Sequence, residues 1–173
     1  MEPILTQRLC IREACDVDYP QLLQIYNKHT NMRYVSDGKY NWTLDELMQK
    51  YHRFNVDRSL GIGLWLVVLL DTDEIIGEAG LFNSFDTYKK LELGYIVDEA
   101  YWRRGYAYEI CEALIHYSFS KLNIESLAAR MYADNVASVK LAEKCSMKRV
   151  DAGLAPNGKA FLHYELTGVD DRS

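Results

Sequence analysis

The sequence predicts an α+β fold in which helices flank a mixed, mainly antiparallel central sheet. The predicted elements follow the order β-α-α-β-β-β-α-β-α-β-β, so strands first occur in a run and then alternate with helices. Hydrophobic residues make up 49% of the 173 residues and charged residues 26%, which is enough apolar material for one core. We therefore expect one domain over residues 1–173.

The first third of the chain predicts one strand followed by two helices. Apolar and polar side chains alternate over residues 7–13, as in a strand. Apolar residues recur at helical spacing over residues 19–26, where Asp18 is the predicted N-cap. Thr43 and Glu46 have the spacing of a capping box, which predicts that a second helix begins directly after Thr43.

The middle of the chain predicts three consecutive strands. Residues 63–70 are almost all apolar, as in a central strand, and a polar turn leads to residues 75–82, so these two segments predict a hairpin. Residues 91–97 form the next predicted strand. Gly94 lies within it, which indicates a bulge or a close approach of another backbone.

The last third predicts two helices alternating with three strands. An amphipathic segment and a helix capped by Asn135 supply the helices, and short alternating runs supply the strands. The predicted helices span residues 107–122 and 136–144, and the predicted strands span residues 126–132, 147–150 and 160–166.

A short loop, Trp-Arg-Arg-Gly-Tyr-Ala at residues 102–107, precedes the first of these helices. A helix N-terminus offers unpaired N–H groups and the positive end of a dipole, which suit a phosphate. Arg103 and Arg104 add cationic side chains, unless they are only a solvated surface pair. The loop contains neither the dinucleotide fingerprint nor the Walker sequence, so it predicts a phosphorylated ligand without naming one.

The net charge, the cysteine pattern and the length of the apolar runs exclude several other classes of protein. The net charge of -5 is unsuited to general nucleic-acid binding and mildly favours cationic substrates. The four cysteines include no Cys-x-x-Cys pair and no histidine at metal-ligand spacing, which predicts reduced thiols and no bound metal. No signal segment precedes the first strand and no apolar run approaches about 18 residues, so we expect a soluble cytoplasmic protein without a membrane partner.

Six segments, taken in order, resemble the GNAT N-acetyltransferases, in particular the branch that includes the ribosomal-protein N-terminal acetyltransferases RimJ and RimL. The resemblance covers a core of about residues 6–167. Residues 102–107 match the family's acetyl-CoA loop, Gln/Arg-x-x-Gly-x-Gly/Ala. The other segments are Gln-Arg-Leu-Cys-Ile-Arg at 7–12, Met-Arg-Tyr-Val at 32–35, Ile-Gly-Glu-Ala-Gly-Leu-Phe at 76–82, Glu-Leu-Gly-Tyr at 92–95 and Asp-Asn-Val-Ala-Ser at 134–138.

The sequence departs from the family pattern at three places. Trp102 stands where the wider superfamily has Gln or Arg, and Arg103 stands where glycine is frequent. Cys145-Ser146-Met147 replaces the usual Leu-Gly-Phe at the end of the last helix. Because Ser146 lacks the conformational freedom of glycine, we expect a less regular helix end. These departures keep the phosphate-binding backbone and leave the acceptor open.

The resemblance implies a GNAT-like sheet that is splayed at the strand 91–97, with the pantetheine arm of acetyl-CoA in the gap. Strand backbone groups would pair with this arm, an N–H near Ile96 would polarise the thioester carbonyl, and the loop N–H groups would hold the pyrophosphate. The implied cofactor-binding residues are Ile96, Val97, Arg103, Arg104, Gly105, Tyr106, Ala107, Tyr108 and Asn135.

Acetyl transfer to an amine needs a base for the amine and benefits from an acid for the departing thiolate. Glu92, two residues before Gly94, is the first candidate base, acting directly or through water; Glu78 on the neighbouring strand is the alternative. Glu92 could instead be a salt-bridged or merely solvated strand carboxylate. Ser138, one turn into the last helix, is the candidate acid, although it could be an ordinary helix residue.

The sequence therefore predicts an acetyl-CoA-dependent N-acetyltransferase, a monomer or homodimer, that moves the acetyl group to a primary amine within a ternary complex. Candidate acceptors are a protein N-terminus, a polyamine, an aminoglycoside or another small amine. The alternatives are a non-catalytic module that senses acyl-CoA and a nucleotide-binding or structural protein whose Gly105 loop is only a turn.

A set of aromatic residues either lines the acceptor pocket or belongs to the core: Tyr34, Tyr40, Trp42 and Tyr51.

Overall fold

A computed structural model describes residues 2–168, which form eight strands and five α-helices. The strands are β1 (Ile4–Leu5), β2 (Leu9–Arg12), β3 (Gly63–Leu69), β4 (Ile75–Phe82), β5 (Lys90–Val97), β6 (Ser126–Tyr132), β7 (Lys148–Leu154) and β8 (Ala160–Thr167). The helices are α1 (Tyr19–Tyr26), α2 (His29–Met32), α3 (Leu44–Phe54), α4 (Tyr106–Ser120) and α5 (Val136–Lys144). None of the helices formed by residues 2–168 has the length and apolarity that a membrane crossing requires.

The strands form one sheet in the order β1-β2-β3-β4-β5-β6-β8-β7. Neighbouring strands are antiparallel except β5 and β6, which are parallel, so the predicted mixed and mainly antiparallel sheet is confirmed. The parallel ladder has three residue pairs and ends where Glu92 faces Ala128. Beyond that pair β5 continues to Val97 along β4 alone, while β6 continues along β8. The predicted splay of the sheet is therefore present, and it begins after Glu92.

Helices cover both faces of the sheet and enclose two apolar clusters. One cluster lies under α4 and α5 and includes Ile110 of α4 and Leu93 of β5. The other lies under α1 and α3 and includes Leu22, Leu47 and Ile96. Because side chains alternate along a strand, β5 sends its odd-numbered apolar residues to the first cluster and Ile96 to the second.

The predicted caps of α1 and α3 have different outcomes. Thr43 is the N-cap of α3, and its hydroxyl accepts from the Glu46 N–H at 3.3 Å while the Glu46 carboxylate accepts from the Thr43 N–H at 2.9 Å. Asp18 precedes α1, but its side chain does not cap that helix. The Asp18 carboxylate instead accepts from two nitrogens of Arg12, at 2.7 and 2.9 Å, and from the Cys15 N–H at 2.8 Å. A bidentate ion pair is stronger than a hydrogen bond to an N–H group at the start of α1. The Asp18 carboxylate therefore binds Arg12 instead of capping the helix.

The end of α5 is regular, so the prediction of a less regular end is wrong. Ser146 adopts the left-handed conformation at φ +63°. Its N–H donates to the Glu143 carbonyl at 3.0 Å, and the Met147 N–H donates to the Ala142 carbonyl at 3.0 Å. These two bonds are those of a Schellman motif. The backbone of Ser146 is therefore strained, whereas glycine would adopt the same left-handed conformation without strain.

Replacing Ser146 with glycine should therefore stabilise the protein. We expect Ser146→Gly to raise the free energy of unfolding by about 1 kcal/mol, because glycine has no β-carbon to oppose φ +63°. Urea denaturation monitored by circular dichroism measures this change. Ser146→Ala keeps the β-carbon and is the matched control; a stabilisation equal to that of Ser146→Gly would contradict the explanation.

Candidate active site

The backbone of β5 divides its hydrogen-bonding groups between β4 and β6. The Lys89 carbonyl, just before β5, accepts from the Glu125 N–H at 2.8 Å, so the odd-numbered residues point toward β6. The Asp98 N–H, just after β5, donates to the Ile76 carbonyl at 2.8 Å, so the even-numbered residues point toward β4. This alternation is the normal pattern of an extended strand, and it determines which groups reach the gap.

In the part of β5 that follows Glu92, the backbone groups of Tyr95 and Val97 point into the gap between β5 and β6. Ile96 was predicted to supply such a contact, but its backbone faces Glu78 of β4, and its side chain is buried on the α1/α3 face. The gap-facing neighbour of Val97 is therefore Tyr95. The Val97 carbonyl accepts from the Trp102 indole N–H at 2.7 Å, which attaches the following loop to the open end of the gap.

The loop residues Arg103 to Tyr108 lie together at the start of α4, as the sequence predicted. Arg103 and Gly105 both adopt left-handed conformations, at φ +60° and +83°. Gly105 is the N-cap, and its carbonyl accepts the first helical bond from the Glu109 N–H at 3.1 Å. Because the first N–H groups of a helix have no intrahelical acceptor, this turn can offer donors to a phosphate at the open end of the gap.

Tyr95 and Ser138 meet on the α4/α5 face of the gap. The Tyr95 hydroxyl and the Ser138 hydroxyl are 3.0 Å apart. Asn135 is the N-cap of α5, and its side chain accepts from the Ser138 N–H at 3.3 Å, which fixes the start of the helix. Burial raises the pKa of the Tyr95 phenol well above its usual range, so the phenol stays protonated and can donate. The sequence had not indicated this partner for Ser138.

Two thiols line the same cleft, beside Tyr95 and Ser138. A hydrogen bond with Cys145 and burial raise the pKa of the Cys111 thiol well above its usual range. A thiol that stays protonated is a poor nucleophile, because the thiolate is the reactive form.

Glu92 lies on the opposite face of the sheet, in the last residue pair before the strands separate. Its carboxylate accepts from the Nε atom of Arg130 at 3.0 Å and from a terminal nitrogen of Arg130 at 2.5 Å. The ion pair bridges β5 and β6 and raises the pKa of Arg130. The Glu92 side chain is 16% exposed and that of Arg130 is 43% exposed, so solvent reaches the pair.

Glu78 is more deeply buried, at 3% exposure, and both of its carboxylate oxygens are engaged. The Tyr51 hydroxyl donates to Oε2 at 2.8 Å, and the Lys50 ammonium donates to Oε1 at 2.8 Å. The Tyr26 hydroxyl also donates to Oε1. These bonds join α1 and α3 to the centre of the sheet. Burial, together with the nearby Glu78 charge, raises the pKa of both tyrosines well above the usual range.

The four aromatic residues singled out in the first third of the chain lie in three different surroundings. Tyr51 and Trp42 belong to the surroundings of Glu78, where Trp42 packs edge-on against Tyr26 at 5.2 Å. The exposed Tyr40 contacts the ring of His29 at 5.0 Å. The Tyr34 hydroxyl donates to the Asp134 carbonyl at 3.1 Å, beside the start of α5. The Tyr132 hydroxyl donates to the Ser36 carbonyl at 2.7 Å, so the segment after α2 is held against the far end of β6.

Comparison with known proteins agrees with this geometry. Residues 8–148 match the family model described as an acetyltransferase (GNAT) domain. The chain is 28% identical over 152 residues to the uncharacterized N-acetyltransferase YoaA of Bacillus subtilis (strain 168), covering 86% of this chain and 85% of YoaA.

Two solved structures share the fold. A RimL ribosomal L7/L12 alpha-N-protein acetyltransferase in complex with coenzyme A superposes with a TM-score of 0.83 at 19% identity, over 98% of this chain and 100% of that one.

The second structure, a spermidine N-acetyltransferase from Vibrio cholerae in complex with coenzyme A and spermine, superposes with a TM-score of 0.80 at 17% identity, over 94% of this chain and 96% of that one. Identities this low show the fold alone, whereas the family model covers most of the chain. The chain therefore belongs to the GNAT family of N-acetyltransferases, enzymes that use acetyl-CoA.

Proposed function

We propose that this enzyme transfers an acetyl group from acetyl-CoA directly to a primary amine within a ternary complex. The observation that supports this most strongly is the separation of β5 and β6 after Glu92, with the loop 103–108 at the open end of the gap. The gap-facing backbone of Tyr95 and Val97 would pair with the pantetheine arm, and the N–H groups at the start of α4 would hold the pyrophosphate. When bound, acetyl-CoA supplies a thioester that an amine can attack.

The two faces of the gap suit the two proton transfers. Glu92 lies on one face at the closed end of the gap, where it would take the amine proton, directly or through water. The Ser138 hydroxyl and its partner Tyr95 lie on the other face, where they would donate to the departing thiolate. A gap-facing N–H of β5 would stabilise the developing negative charge on the carbonyl oxygen.

Direct transfer also agrees with the protonation state of the buried Cys111 thiol. Cys111 and Cys145 line the cleft, but the raised pKa of Cys111 disfavours the thiolate that an acyl-enzyme would require. The amine itself would therefore attack the thioester.

The acceptor would approach from the face that carries Glu92. Candidate acceptors are a protein N-terminus, a polyamine, an aminoglycoside or another small amine. RimL is named for a protein N-terminus and the Vibrio cholerae enzyme for spermidine, so the shared fold accommodates both classes. The net charge of -5 mildly favours a cationic acceptor.

Acetyl-CoA should raise the melting temperature of the protein, because a ligand that binds only the folded state stabilises it by about 2.7 kcal/mol at a hundred times its dissociation constant. Differential scanning fluorimetry measures the shift, with adenosine as a control that lacks the pyrophosphate and the pantetheine arm. No shift at saturating acetyl-CoA would contradict the proposal.

A turnover screen then identifies the acceptor. Release of the free coenzyme A thiol is followed with spermidine, an aminoglycoside and N-terminal peptides as separate acceptors. We expect acetylation of at least one of these amines. Binding of acetyl-CoA without turnover on any of them would instead favour the non-catalytic acyl-CoA sensor.

A further inference from the structure

The loop that precedes α4 includes one residue, Arg103, in a backbone conformation that its side chain disfavours. Arg103 and Gly105 adopt left-handed conformations within three residues of each other, at φ +60° and +83°. Glycine adopts such a conformation without strain, whereas a residue with a β-carbon does not. The loop is also exposed from Trp102 to Gly105, so burial contributes little to holding it. Contacts from elsewhere in the fold must therefore maintain the arrangement of its backbone.

Arg8, at the start of the first family-like segment, supplies such contacts. Its side chain donates to the Arg104 carbonyl at 3.0 Å, inside the loop. Its Nε atom donates to Glu109 Oε2 at 2.7 Å, and its second terminal nitrogen lies 2.7 Å from the same oxygen. The guanidinium also lies over the Tyr106 ring, with Cζ 4.2 Å from the centroid. All three guanidinium nitrogens therefore contact the loop or the first turn of α4.

Glu109 is attached to the same segment by further bonds. Its Oε1 atom accepts from the Arg8 N–H at 2.8 Å and from the Thr6 hydroxyl at 2.6 Å. These bonds favour the charged carboxylate and lower the pKa of Glu109 against the opposing effect of burial. A carboxylate in the first turn of α4 would oppose a phosphate bound there, and the Arg8 charge offsets it.

We propose that Arg8 is a positioning residue that holds the loop in its phosphate-binding conformation and neutralises Glu109, an inference that rests on the proposed binding of acetyl-CoA. Arg8 acts through the Arg104 carbonyl and Glu109, because its guanidinium nitrogens are already engaged by the protein. Arg8 lies in the family-like segment at residues 7–12, and the proposed catalytic residues give no reason for an arginine at this position. The positioning role gives that reason.

The test compares Arg8→Ala with Arg12→Ala. Arg12 lies on the same segment and makes a bidentate ion pair with Asp18, away from the loop. We expect Arg8→Ala to raise the KM for acetyl-CoA about tenfold or more while kcat at saturating acetyl-CoA stays within about twofold. Arg12→Ala should leave this KM unchanged. Arg8→Lys should be intermediate, because lysine keeps the charge but cannot make the forked contacts.

Three results separate the possibilities. An unchanged KM in Arg8→Ala would overturn the inference and leave the proposed function intact. An equal rise in KM in Arg12→Ala would also overturn it, because the effect would then belong to the strand as a whole. Absence of acetyl-CoA binding by the unsubstituted protein would overturn the proposed function and the inference together. If Arg8→Ala does not fold, the KM of Arg8→Lys decides the question in the same way.

Discussion

Replacing Glu92 with glutamine should lower kcat by about a hundredfold, a loss typical of removing a general base. Glutamine is close in shape to glutamate but cannot accept the amine proton. The affinity for acetyl-CoA should stay nearly unchanged, because Glu92 lies on the face of the sheet opposite the Tyr95 side chain and the α4 core. Steady-state turnover at saturating acetyl-CoA, with an amine identified in the screen, measures the loss.

Two control variants separate catalysis from structure. Glu165 lies in the same cross-strand row, because Glu92 pairs with Ala128 and Ala128 pairs with Glu165. Its side chain is 19% exposed and is ion-paired with Lys90, so Glu165→Gln should leave kcat within about twofold. Arg130→Gln removes the partner of Glu92 and keeps the carboxylate. If Arg130→Gln reproduces the full loss seen in Glu92→Gln, the ion pair rather than the base is what turnover requires.

Most of the fold could be predicted because its elements have strong local patterns. The apolar run of β3, the alternation in β6 and the capping box of α3 each specify an element without reference to the rest of the chain. The exceptions have weak patterns. β7 spans Lys148–Leu154 rather than residues 147–150, because it is an exposed edge strand held mainly by its pairing with β8. The four-residue α2 and two-residue β1 are too short for a periodic signal.

The site could be predicted only in part, because its partners are distant in sequence. The loop 103–108 is contiguous, so the sequence alone suffices to predict it as a candidate phosphate site. Arg130 lies 38 positions from Glu92, and Ser138 lies 43 positions from Tyr95, so no local pattern joins either pair. The sequence predicted a backbone contact from Ile96, whereas the gap-facing residue next to Val97 is Tyr95. This difference has another cause. Which backbone groups face the gap depends on the pairing of β5 with β4, which a family resemblance does not specify residue by residue.

Replacing Glu78 with glutamine should lower the free energy of unfolding by about 3 kcal/mol, the cost of leaving a buried charge without its partner. The Lys50 side chain is only 13% exposed and its ammonium lies 2.8 Å from Glu78 Oε1. Without the carboxylate, that charge would remain among Tyr26 and other aromatic rings with little access to water. Urea denaturation measures the change.

The controls for Glu78 also address the alternative base. Glu125→Gln removes an exposed pairing with Lys89 at 3.6 Å and should change stability by less than about 0.5 kcal/mol. Adding Lys50→Met to Glu78→Gln should recover much of the lost stability, since no buried charge then lacks a partner. Turnover of Glu78→Gln, measured at a temperature where it is folded, should remain close to that of the unsubstituted enzyme. A hundredfold loss there, with normal turnover in Glu92→Gln, would assign the base to Glu78, and the buried network would then have a catalytic role.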